Sequence, residues 1–304
     1  SCSSLKKSAL QSNGTDYSQR HLLLRDEGLS QLSYVNLAHP DKNWYTPVPP
    51  GRDLQLVGNG LVLIGTGNGY EERDINTGKK LFELSSFKGT VSARRLRNGN
   101  TLLTGIDWQD KKGVSMVEVN KAGEIKRRLH YPSYSYVRLV RESPVGTYLI
   151  SADDTVFESD TTSTILWKVQ LKGMDKPHAW QALRLGTGQT VVSTGFLKTL
   201  QVFSKEGLLQ KTISGTDDVH PHFFAGFQVM NNGNYVVTNW QGHGDKFGSS
   251  GIQLLEFTPE GKLAWSWKQD PQKFSSLQGV IVLDGLDLRR LHVENDAGVL
   301  TPVP

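Results

Sequence analysis

Apolar and polar residues alternate along most of this chain in short runs. Period-two alternation sends successive side chains to opposite faces of an extended backbone, so it predicts half-buried β-strands. One local pattern recurs: an alternating apolar strand, a glycine-containing turn and a second β-rich strand. It covers residues 53–65, 93–105, 181–195 and 226–238, with a weaker copy at 136–151. Three of the turns carry Asn-Gly, at Asn59-Gly60, Asn98-Gly99 and Asn232-Gly233. That pair suits a two-residue hairpin because both central residues reach positive φ cheaply. A second pattern follows each first one: a strand, a turn, and a strand that often carries an aromatic. It covers 72–82, 117–126, 201–210 and 255–267, with a degenerate copy at 159–167. Each unit therefore predicts four antiparallel strands, a to d.

The turn glycines fall near positions 60, 99, 146, 188 and 233, a repeat of roughly 40–50 residues. Sandwiches lack such long-range periodicity, so the spacing predicts an all-β propeller. The chain ends complete it. Residues 21–26, 32–37 and 42–45 read as strands b, c and d with no strand a before them. Residues 278–284 read as a strand a with no c and d after it. Together they make a composite blade that closes the ring and removes two exposed sheet edges. The expected architecture is a six-bladed β-propeller closed in this way. Seven blades is the runner-up, if residues 286–293 form strands of their own.

Composition narrows the function classes. With 37% hydrophobic and 21% charged residues, the chain has enough apolar content for a core. No run approaches the roughly 18–20 apolar residues of a membrane-spanning helix. A net charge of +4 and no basic run beyond Lys126-Arg127-Arg128 argue against nucleic acid as a partner. The single cysteine, Cys2, excludes an intramolecular disulfide. It stands in Ser1-Cys2-Ser3-Ser4, ahead of a polar stretch, as a lipidated cysteine and its tether do in a bacterial lipoprotein. The expected organisation is a flexible leader or tether over 1–19 and one propeller domain over 20–304. A cell-envelope location (periplasmic or surface lipoprotein) or secretion follows, with Cys2 as the lipidation site and a monomeric protein. Any membrane contact would be through that anchor.

The segment Asp74-Ile-Asn-Thr-Gly-Lys-Lys-Leu-Phe82 resembles the repeat of bacterial quinoprotein-type (PQQ-like) propellers, whose blades carry Asp-x-x-Thr-Gly-Lys-x-x-Trp. Phe82 stands at the Trp position, and Trp167 and Trp265 take the corresponding place in two other blades. The resemblance implies that these aromatics, and Trp44, pack between neighbouring blades. It implies no quinone here. The quinone-dependent members use larger propellers, a vicinal cysteine pair and a calcium site. One cysteine rules out the pair, and no Asp/Asn/Glu cluster reads as a calcium cage. The expected kin are the members that serve as scaffolds or binding modules, with no cofactor.

In a propeller the d-to-a connections and the b-to-c loops share one face, around the channel lined by the a strands. The d-to-a entries are 48–53, 88–94, 131–136, 176–180, 219–225 and 274–278. The b-to-c loops include 105–113, 151–154 and 239–250. Four of the eight histidines fall there, as His178, His220, His222 and His243, together with Trp180, Phe223 and Trp240. Arg52, Arg94, Trp108, Tyr134, Tyr136 and Gln278 occupy matching positions in other blades. Two readings follow. In the first, these side chains form a ligand-binding face for a small molecule, a glycan or a partner protein, since Trp, Tyr and Arg dominate binding hot spots. In the second, His178, His220 and His222 form a catalytic or metal site at the top of the channel, serving a hydrolase, lyase or transferase. No HExxH, GxSxG or phosphate loop accompanies them. The loop Gly242-His-Gly-Asp-Lys-Phe-Gly-Ser-Ser-Gly251 joins two strands and opens no helix, so it reads as a flap and not as a phosphate cradle.

Overall fold

The structure, a computed structural model, describes residues 14–304. Strands β1 (His21–Asp26), β2 (Gln31–Asn36) and β3 (Trp44–Pro47) lie in one sheet. The next holds β4 (Leu54–Gly58), β5 (Leu61–Thr66), β6 (Gly69–Asp74) and β7 (Lys80–Leu84). A third holds β8 (Thr90–Arg95), β9 (Thr101–Ile106), β10 (Val114–Val119) and β11 (Ile125–Tyr131). A fourth holds β12 (Val137–Glu142), β13 (Tyr148–Ala152), β14 (Thr155–Ser159) and β15 (Ile165–Gln170). Then come β16 (Pro177–Arg184), β17 (Thr190–Gly195), β18 (Thr199–Phe203) and β19 (Leu209–Ser214). They share an eight-stranded sheet with β20 (Phe223–Val229), β21 (Tyr235–Trp240), β22 (Leu254–Phe257) and β23 (Leu263–Trp267). The two halves of that sheet meet through one bridged pair, Gly195 and Phe224. Last, β24 (Leu277–Val282) returns to pair with β1, and β25 (His292–Glu294) pairs with β26 (Leu300–Pro302).

All the ladders are antiparallel, and the arrangement is a propeller. The inner edge strands β4, β8, β12, β16, β20 and β24 each touch the next, and β24 touches β4. Closure is as the chain ends predict: Leu22, Leu23 and Leu24 of β1 face Val282, Ile281 and Val280 of β24, and all three leucines are buried. The carboxylate of Asp26 accepts from the backbone N–H groups of Ser275 (2.7 Å) and Ser276 (3.0 Å) at the head of β24. Residues 286–293 supply no further sheet to the ring. Only their end is extended, in the β25–β26 hairpin. That hairpin sits against an a-to-b turn, where the Gly186 N–H donates to the Asp296 carbonyl, and the turn preceding the hairpin accepts from the N–H groups of Asn59 and Gly60 on the carbonyls of Arg289 and Leu288.

The turns differ from their prediction in one respect. Both residues take positive φ only at Asn59-Gly60, at 55° and 70°. At Asn98-Gly99 and Asn232-Gly233 only the glycine does, at 89° and 86°. There Leu96 pairs with Asn100, and Met230 with Asn234, across a three-residue loop ending in that glycine. The d-strand aromatics behave as the repeat implies. Trp44 Nε1 donates to the Ile75 carbonyl and Trp167 Nε1 to the Lys205 carbonyl, each at 2.9 Å and each in the following four-strand unit. Lys121 Nζ lies 4.8 Å over the Phe82 ring. Trp265 stacks on Tyr17 (5.6 Å) and under the Arg20 guanidinium (4.6 Å). The end of the stretch read as leader, Tyr17–Gln19, is thus a 3-10 turn seated on the propeller. Cys2 lies outside the described residues.

Candidate functional site at the mouth of the channel

The inner strands are bulged where they approach the mouth. Arg138 and Leu139 of β12 oppose the single residue Ser151. His178, Ala179 and Trp180 of β16 oppose Thr194 alone. Gln278 of β24 is the extra residue beside the Arg25–Asp26 step. A bulge breaks the in-out alternation and re-aims side chains, which is why bulges gather near functional sites. Here they turn Arg138, His178, Trp180 and Gln278 toward one depression of about 280 Å³, shared with Arg52, Tyr136, Phe196, Phe223, Trp240 and His243. Gly65 permits Arg52 to pass close by, since a Cβ there would collide with the Arg52 carbonyl oxygen.

The walls are aromatic. Phe223 meets Trp180 at 5.3 Å, Trp240 at 5.1 Å and Phe196 at 4.7 Å, all edge to face. His178 packs edge-on against Phe196 and Phe223. Trp180 and Trp240 are 4% and 6% exposed, so each offers the depression a strip and not an open face. The polar floor is cationic. The Arg52 guanidinium lies 4.7 Å from the Trp180 ring and 5.2 Å from the Tyr136 ring. Arg138 lies 5.1 Å from the same tyrosine and donates to the backbone carbonyls of Asp153 (2.7 Å) and Ala179 (3.3 Å). At the rim, Glu27 accepts from Trp240 Nε1 (2.9 Å) and contacts His243 Nδ1 (2.6 Å).

Below the mouth the channel is nearly filled, with about 50 Å³ of free space. Arg94 lies here, away from the depression. Its Nη2 contacts Glu294 Oε1 at 2.7 Å, and Arg141 binds the Asp53 carboxylate with two nitrogens at 2.7 and 3.2 Å. Arg141 Nε reaches Glu294 at 3.1 Å. Burial opposes ionisation of Glu294, but Arg94 and Arg141 win and hold its carboxyl below the usual range. Glu294 belongs to the β25–β26 hairpin, so this hairpin plugs the channel from the far end.

The histidines separate. His178 is pushed down to about 4, first by burial and then by Arg138, Arg52 and Lys176. A base that weak is poorly matched to proton transfer near neutral pH. His222 is also lowered, by burial and then Lys198 and His220. It stacks on Trp240 at 6.0 Å, outside the residues lining the depression. His220 lines a different surface hollow with Asp218 and Lys268. Among the described residues no three His, Cys, Asp or Glu side chains are grouped to hold a metal ion. Of the other expected site residues, Trp108 lines a separate groove with Lys88 and Arg128, and Tyr134 stacks on Phe157 at 4.4 Å. Arg52, Tyr136, His178, Trp180, Trp240, His243 and Gln278 do converge. Arg138 and Phe196 join them unannounced by the sequence.

The depressed His178 carries a sign that can be checked. The unfolded chain binds a proton near 6.5 and the folded one only near 4. Stability therefore has its full value above pH 6.5 and falls as pH drops through that window. In an NMR titration the His178 ring is expected to stay neutral at pH 6. Arg138→Gln should move its midpoint upward, and an unchanged midpoint would remove the electrostatic part of this account.

No protein-family model and no curated protein sequence matches the chain. Solved structures do. A protein of unknown function from Bacteroides caccae aligns with TM-score 0.68 and 22% identity, over 87% of this chain and 99% of that one. Regucalcin from Agrobacterium tumefaciens, described as calcium-binding, aligns with TM-score 0.57 and 14% identity, over 86% and 94%. Virginiamycin B lyase from Staphylococcus aureus aligns with TM-score 0.53 and 12% identity, over 83% and 82%. At these identities the likeness establishes the propeller fold.

Proposed function

We propose that this protein is a six-bladed propeller acting as a binding module, and that its loop face takes a small, flat organic ligand at the channel mouth. The blade count is supported by the closed run of inner strands and by the single bridge joining the halves of the eight-stranded sheet. Kinship with cofactor-free quinoprotein-type repeats is supported by the aromatic at the same d-strand place in Trp44, Phe82, Trp167 and Trp265. The binding reading rests on one observation: five aromatic rings, Tyr136, Trp180, Phe196, Phe223 and Trp240, surround one depression at the axis. A concave apolar pocket with few polar groups is the ordinary form of a small-molecule site. The low exposure of both tryptophans favours a flat body slipped between rings over a glycan or a large partner laid on an open platform. A histidine enzyme is disfavoured by the weak basicity of His178 and by the position of His220 and His222 outside the lining of the depression.

Ligand-observed saturation-transfer NMR with a set of bicyclic aromatic fragments tests this. Transfer is expected with the unmodified protein and is expected to fall at least about tenfold in affinity with Trp240→Leu, which keeps an apolar wall but removes the flat one. Absence of transfer from every fragment would sink the proposal.

A further inference from the structure

Resting on that reading of the mouth, we infer that its ligand is an anion, a carboxylate carried on a flat apolar body, with the head group held by Arg52 and Arg138. The channel arginines Arg94 and Arg141 each have carboxylates at hand, in Asp53 and Glu294. Arg52 and Arg138 have none within ion-pair reach among the described residues. Their protein partners are backbone carbonyls: Val137 for Arg52, at a long 3.4 Å, and Asp153 and Ala179 for Arg138. Of the carboxylates around the mouth, Glu27 is engaged by Trp240 and His243, and Asp153, which acts on Arg138 only from beyond ion-pair distance, accepts from the Ser135 N–H.

The geometry of Arg52 says which part of it is free. Tyr136 and Trp180 lie within cation-π range of its guanidinium, so the π contacts are taken. A guanidinium donates in its own plane, as a fork that matches a carboxylate with two parallel hydrogen bonds. The guanidinium N–H groups of Arg52 make one weak carbonyl contact, and the residue lines the open depression. The Trp180 indole N–H, on a buried side chain lining the same space, also has no acceptor. Desolvated cations without a counter-charge are costly, and the protein already registers it: Arg138 is lowered to about 10 by burial and then by Arg52. Arg25, beneath the mouth, is likewise hydrogen-bonded only to carbonyls, and it shares the field of Asp53 with Arg94 and Arg141. An incoming carboxylate relieves this, while the rings hold its apolar remainder.

The test is isothermal titration with 2-naphthoate and with 2-naphthamide, which share shape and differ in charge. The unmodified protein is expected to bind the acid at least about tenfold more tightly than the amide, as charge-assisted hydrogen bonds exceed neutral ones. Arg52→Gln is expected to weaken the acid far more than the amide and so to remove most of that preference. Equal affinities, or a preference that survives Arg52→Gln, would overturn the anion inference while leaving the site in place. Binding of neither compound would overturn the site itself. The acid-to-amide ratio in the unmodified protein decides the matter even if the variant folds poorly.

Discussion

Glu294→Gln is expected to destabilise the protein by about 3–5 kcal/mol, because it leaves buried guanidinium charge unmatched. Glu294 Oε1 is the shared acceptor of Arg94 Nη2 and Arg141 Nε. Asp53 alone would then face both arginines, with Arg25 close by and also buried. The isosteric amide keeps the volume, so packing loss cannot mimic the effect. Glu83→Gln is the control, since the Lys80–Glu83 pair is 42% and 48% exposed and such pairs contribute at most about 1 kcal/mol. Denaturant unfolding measures both. The pH dependence has a definite sign. The folded carboxyl is lowered from its ordinary 4.5, so its contribution is complete above that value and is lost as pH falls through the folded pKa. Glu294→Gln should lack that acid-sensitive component. A loss no larger than the Glu83 control would mean the hairpin is an ornament and not a plug.

Asp26→Ala is expected to cost about 3 kcal/mol through the ring closure. Its carboxylate satisfies three backbone N–H groups, those of Leu29, Ser275 and Ser276, and the side chain is buried. Each buried donor left unpaired costs about 1–3 kcal/mol, partly recovered where water enters. Asp26→Asn keeps an acceptor for Leu29 and Ser276 but turns an NH2 toward the Ser275 N–H, so an intermediate loss follows. The damage should be local: amide exchange should accelerate at Leu22, Leu23 and Leu24, which pair with β24. Uniform acceleration throughout the ring would contradict the closure role.

The fold was legible because strand alternation and turn glycines are local signals repeated at a fixed interval. Closure was legible because the unmatched strands at the two chain ends complement one another. The site was legible only in outline. The loop rule collected residues at one face of the ring, but not at one radius. Trp108 and Tyr134 sit at that rule's positions and still face a side groove or the core. Arg94 sits deeper, inside the channel. Arg138 was hidden by the rule that found the strands. In regular alternation it is an ordinary strand residue, and the bulge beside Leu139 that redirects it leaves no mark in a single sequence. Phe196 follows Gly195 in a short turn whose direction only the folded chain defines. His220 and His222 stand two residues apart, a spacing that sends both rings to one side of an extended backbone, but His220 takes a left-handed conformation (φ 50°), so that geometry does not form.

The central claim is that the aromatic and cationic mouth is a ligand seat, and a crystal structure of the protein with 2-naphthoate tests it most directly. The account predicts the carboxylate about 2.7–3.2 Å from the Arg52 guanidinium nitrogens, with the rings between Trp180 and Trp240. Naphthoate found in the groove beside Trp108, with the mouth empty, would contradict it.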